Sequence, residues 1–170
     1  MKKMNFKVLF FAIIFTLSSC STNSEKEPEQ IGKQGFLMLK NISSSSKENY
    51  VANFLLIEEI RELGKNEEVI KDEDTRNELT SISKDKYFSK IEADYNSIKI
   101  EGLDYGINWN EIQYLDFIYN LKTEIGIMGC EGELYFKFND KSFKIDITSI
   151  FNGKEYRLVE IEDLKLEKYL

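Results

Sequence analysis

Over residues 133–138 and 143–148 the chain keeps a strict two-residue rhythm. Leu134, Phe136 and Phe138 are interleaved with Glu133, Tyr135 and Lys137, and Phe143, Ile145 and Ile147 with Lys144, Asp146 and Thr148. A period of two sends alternate side chains to opposite faces of a strand. Asn139-Asp140-Lys141 between the two runs has turn chemistry, so the runs predict a hairpin. Asn152-Gly153 supplies a second turn from residues suited to positive φ, and it leads into a further strand carrying Tyr156, Leu158, Val159 and Ile161. A meander with one greasy face needs a cover, and that requirement dictates what the rest of the chain must provide.

Upstream, Leu115, Phe117, Tyr119 and Leu121 alternate with Asp116, Ile118 and Asn120, which predicts one more strand with a mostly buried face. Before it the period changes to helical. Tyr87 or Phe88, Ile91, Tyr95 and Ile98 recur at steps of three and four, predicting an amphipathic helix over about 85–105, capped by Asp85 and stopped at Gly102 or Gly106. Ala52, Leu56, Ile60 and Leu63 place another helix over 49–63, with an N-cap from the serines at 43–46 and Gly64 as its end. The charged stretch 65–84 reads as a second short helix with exposed loops. Trp109 is expected to pack where helix meets strand. The chain is therefore expected to be α+β, with N-terminal helices packed on one face of a roughly four-stranded antiparallel meander. Over residues 48–165 this element order is similar to the cystatin-like and NTF2-like folds, and the resemblance implies a curved sheet wrapped around helices that often encloses a pocket.

The N-terminus carries an address. Lys2, Lys3 and Lys7 precede an apolar run over 8–15, and Leu17-Ser18-Ser19-Cys20 follows. The apolar run is too short to cross a bilayer, which takes roughly 20 residues, so cleavage is expected rather than a permanent span. The pattern resembles the signal and lipobox of bacterial lipoproteins. That resemblance implies a signal peptide over 1–19 and a mature protein anchored to membrane lipid through acylated Cys20, several chains together making a firm anchor. It implies a place in the cell envelope, with the outer membrane expected. Residues 21–34 offer almost nothing to bury and read as a flexible tether, so 20–47 is taken as anchored N-terminus, tether and lead-in, and 48–170 as a single domain.

Composition narrows the function. Basic residues number 23 against 30 acidic, a formal charge of −7, and loss of the leader lysines makes the mature chain more acidic still. Such a surface repels phosphate backbones, so nucleic acid is not an expected partner. Histidine is absent, which removes the usual general base, the usual triad member and the commonest metal ligand; no cofactor or metal is implied. With Cys20 lipidated, Cys130 stands alone among the glycines 126, 129 and 132 and reads as a small buried residue of a strand connection rather than a nucleophile. The carboxylates around 67–74 fit no EF-hand loop. Glu160 and Glu162 share one face of the last strand and read as solvated rather than as an acid–base pair. Trp109, Tyr114, Asp116 and Tyr119 are the candidates for lining a pocket, although strand parity sets Tyr114 and Asp116 opposite Tyr119 unless a bulge intervenes. These readings favour a non-enzymatic domain that binds an envelope protein or a small ligand. The alternatives are a small envelope enzyme using Asp, Glu, Tyr or Cys130 between helices and sheet, and a structural subunit of an envelope assembly.

Overall fold

The computed structural model describes residues 28–124 and 126–167. The segments expected to form the leader, the lipobox with Cys20 and the tether up to residue 27 lie outside the described residues. Among the described residues five helices precede one sheet: α1 Pro28–Lys40, α2 Lys47–Val51, α3 Ile57–Lys65, α4 Glu73–Ser81 and α5 Lys84–Asp104. A short 3-10 turn, Trp109–Glu111, then leads into β1 Gln113–Glu124, β2 Ile127–Phe138, β3 Lys141–Phe151 and β4 Tyr156–Glu167. The strands pair in sequence order and antiparallel. The α+β class and the meander stand as the alternation predicts.

The β2–β3 hairpin closes on the Phe138–Lys141 pair, with Asn139 at φ 53 supplying the left-handed corner. Its inner face is the centre of the core: Leu134, Phe136, Phe143 and Ile145 are fully buried. Phe136 and Phe143 stack at 5.6 Å, and Trp109 leans on Phe136 at 6.0 Å. The β3–β4 turn is longer than a two-residue one. Gly153 takes φ 96, while Asn152 accepts the N–H groups of Lys154 and Glu155 on its own side chain.

β4 departs from simple alternation. It carries one extra residue at Val159 and another around Asp163, which sits at φ 61. Each bulge resets the parity, so Leu158, Ile161 and Leu164 all point inward at steps of three. This accounts for the apolar residues that sequence parity assigns to both faces of the last strand.

Two helical expectations need correction. The helix expected over 49–63 is two helices, α2 and α3, because residues 52–56 break away to meet the sheet: Phe54 bridges Leu158, and the Leu55 N–H donates to the Leu158 carbonyl at 2.7 Å. The free edge of β4 is thereby capped at Leu158. Part of the stretch expected to be tether up to Gln34 is helical, since α1 begins at Pro28. From there α1 crosses the inner face of the sheet with Ile31, Gly32, Gly35, Met38 and Leu39 buried. The folded unit thus begins well before residue 48. The sequence masks this because two of the buried positions are glycines, which count for nothing on a hydrophobicity scale. Here they let the helix backbone sit close to Phe117 and Ile147.

Helix ends follow the capping rules. Ser46 accepts the Asn49 N–H, Asp72 accepts the Thr75 N–H and Ser83, rather than Asp85, accepts the Lys86 N–H. α5 stops at Gly106, whose φ is 69, and Gly102 lies inside the helix against Trp109.

Three buried side-chain polar atoms have no hydrogen-bond partner among the described residues: the Tyr50 hydroxyl, Arg61 Nε and Arg157 Nε. The ring of Tyr50 packs between Phe54 and Tyr95. An unsatisfied buried hydroxyl costs on the order of 1 kcal/mol or more. Tyr50→Phe keeps the ring contacts and removes that cost, so it is expected to stabilise the fold by about 1 kcal/mol in urea unfolding; a loss of stability would mean the hydroxyl has a partner.

Candidate functional site

The four aromatic and acidic pocket candidates are dispersed. Trp109 is 4% exposed, with its indole over Gly102 and Phe136. Leu115 forms a bulge in β1, and that one extra residue puts Tyr114 on the same inner face as Phe117 and Tyr119. Asp116 goes to the outer face, where its Oδ1 accepts the Phe117 N–H at 2.8 Å. The space in front of the inner aromatics is taken by α1: Phe36 meets Tyr114 edge to face at 5.5 Å, and Gly32 lies against Phe117, on which Tyr119 stacks. The inner aromatic face is therefore filled by α1, whose first turns, up to Gln34, fall in the segment read as tether.

Cys130 is a residue of β2, fully buried, opposite Leu121 and Ser149. Burial pushes its thiol up, against a smaller lowering by the Ser149 hydroxyl. A thiol held protonated in this way is a poor nucleophile.

Glu160 and Glu162 meet Asp94 of α5, their carboxylate oxygens lying within 4.8 Å of one another. Such a trio can hold a cation, and the cation it holds is Lys90. The Lys90 ammonium hydrogen-bonds Glu160 and lies 3.3 Å from both Asp94 and Glu162. Burial opposes the charge on Lys90, but the hydrogen bond and charge of Glu160 outweigh it, so the lysine is raised. Burial likewise raises Asp94, against the pull of Lys90. The cluster ties α5 to the outer face of β4.

A groove of about 720 Å³ lies between α1 and α2. Gln30, Lys33, Gln34, Leu37, Met38 and Asn41 line its α1 wall at helical spacing, and Asn49 and Asn53 stand on the opposite wall. Three of the amide nitrogens are committed to the protein's own main chain. Asn53 Nδ2 donates to the Asn49 carbonyl at 2.7 Å, Asn41 Nδ2 to that of Leu37 at 2.9 Å, and Gln34 Nε2 to that of Asn53 at 3.4 Å. Their carbonyl oxygens are left as acceptors beside the ammonium of Lys33 and the half-exposed side chain of Leu37, which is 57% exposed. Such a wall suits a ligand that carries several hydroxyl or amide donors on an apolar frame. The sequence reading missed this groove because three of its residues, Gln30, Lys33 and Gln34, fall in the presumed tether. The available signal was the recurrence of amides at 30, 34 and 41, on one face of a helix.

No family model matches the sequence, and no curated protein matches it either. Among solved structures, the chain is similar to a cystatin-like protein from Ruminococcus gnavus, with a TM-score of 0.53 and 9% identity. The superposition covers 84% of this chain and 46% of that one, so the chain spans less than half the length of its structural neighbour. At that identity the likeness concerns the fold alone: this chain has a cystatin-like fold, with helices preceding a four-stranded antiparallel sheet among the described residues.

Proposed function

We propose that the chain is a lipid-anchored, non-enzymatic binding domain of a bacterial cell envelope, and that it takes a polar ligand in the groove between α1 and α2. The observation that carries the binding half is the groove, with its row of amide oxygens, one ammonium and an exposed leucine. The anchoring half is supported by the lysines, apolar run and Leu17-Ser18-Ser19-Cys20 pattern of the leader. Among the described residues no helix is long and apolar enough to cross a membrane.

The two halves are tested separately. Wild type is expected in the membrane fraction, with Cys20→Ser left as an unprocessed precursor; normal processing of that variant would overturn the anchor. Protease added to intact cells then decides which face of the envelope the domain occupies. For the groove, soluble oligosaccharides and short peptides are titrated against the full chain by calorimetry. Binding of one class is expected to weaken about tenfold or more in Gln34→Ala and in Asn49→Ala, each removing a buried polar contact of the complex. A ligand whose affinity neither variant changes would locate binding elsewhere.

A further inference from the structure

The two edges of the sheet are treated differently. β4 is met at Leu158 by Phe54 and Leu55, whereas among the described residues β1 pairs with β2 alone. In an antiparallel pair, successive residues direct their N–H and C=O groups alternately toward the neighbour and away from it. The Phe117 N–H is taken by the side chain of Asp116 and not by β2, so Phe117 is an outward-directed position. The same parity then makes Tyr119 and Leu121 outward-directed as well. Large apolar side chains are exposed along this strand, Ile118 at 56% and Leu121 at 54%. A long edge with open N–H and C=O groups and exposed apolar side chains is a template for another strand.

We propose that β1 pairs with β1 of a second copy of this chain, antiparallel, about a twofold axis at Tyr119. The β1 sequence is self-complementary in that register. Asp116 of each copy faces Lys122 of the other on the outer face, Phe117 faces Leu121 on the inner face, and Tyr119 faces itself. Ile118 is set against Asn120 and loses part of its exposure. Moving the axis one residue toward the N-terminus sets Asp116 against Asn120, and one residue toward the C-terminus sets it against Glu124, which repels it. The outward N–H and C=O groups of Phe117, Tyr119 and Leu121 all find partners in the proposed register, with Asp116 released from Phe117 to meet Lys122, whose ammonium it shares with Glu131 of the lysine's own chain. Two four-stranded sheets become one of eight strands. The same patch serves both copies, as a closed twofold assembly requires. Strand pairing alone covers less than the roughly 1,000 Å² of a firm interface, so the dimer is weak and concentration-dependent.

The register makes the test specific. The full chain, in density-matched detergent at about 100 µM, is expected to sediment as a dimer. Tyr119→Pro removes an N–H from the free edge without touching the β2 ladder, so the fold persists and the dimer is lost. Asp116→Lys sets two lysines against two lysines across the axis, and Lys122→Asp sets acids against acids. Each variant alone is expected to lose at least tenfold in self-association, and an equimolar mixture of the two to form the heterodimer, in which every pair is complementary. A chain that stays monomeric, a dimer indifferent to Tyr119→Pro, or variants that fail to recover on mixing would each overturn the proposal.

Discussion

Phe136→Ala is expected to cost about 3–5 kcal/mol, the range for emptying a buried aromatic site. The ring is fully buried, stacks on Phe143 and supports the indole of Trp109, and Tyr105 closes the far side of Phe143. Nothing nearby can collapse into the space cheaply. Phe143 and Tyr114 are fixed opposite Phe136 by the β-ladder, and Trp109 is fixed by its contact with Gly102 in α5. Since domains of this size have ΔG of unfolding of about 5–15 kcal/mol, a large share of the stability goes with one side chain. In urea the midpoint is expected to fall while the slope stays constant, as for a stability change without a change of unfolded state. Trp109 emission is expected to shift to the red as its packing loosens. A loss below about 1 kcal/mol would mean that the aromatic column is not the centre of the core.

That column sits in the part of the fold most legible from the sequence, and the reason is local. Between 133 and 151 every level agrees: β-branched and aromatic residues at period two, an Asn-Asp corner that accepts positive φ, and no bulge. Where one level disagreed, the reading slipped. In β4 the bulges at Val159 and Asp163 turn a two-residue period into a three-residue one, so inward residues look scattered. At 52–56 the helical spacing runs through Ala52 and Leu56, yet Leu56 is exposed, while Phe54 and Leu55, off that spacing, are buried because a tertiary contact with Leu158 draws them to the edge of the sheet. The pocket candidates were chosen for their aromatic character, which in β1 serves the packing of α1 instead. The groove has no such advertisement, because amides on an exposed helix face look like any solvated surface until a second wall is known.

The helix that filled the expected pocket gives the sharpest contrast between local and tertiary reasoning. If residues 28–34 were tether, Ile31→Ala would leave stability unchanged and Gly32→Ala would be neutral or, should a helix form there, favourable by up to about 1 kcal/mol, because alanine is the better helix former. The packing of α1 predicts the opposite sign for the glycine. Ile31 is fully buried in the main core, so its truncation is expected to cost about 2–5 kcal/mol. A Cβ on Gly32 would lie 2.4 Å from Phe117 Cγ and 2.5 Å from its Cβ, atoms at the root of a ring that the strand holds in place. Helix and sheet must separate to admit it, and the expected loss is about 1–3 kcal/mol in spite of the gain in propensity. At Gly35 the obstruction is Ile147 Cδ1 at 2.5 Å, the far end of a flexible side chain, so Gly35→Ala should be tolerated better than Gly32→Ala. Urea midpoints for the three variants settle the matter: a neutral Ile31→Ala or a stabilised Gly32→Ala would return the segment to the tether and reopen the aromatic face of the sheet.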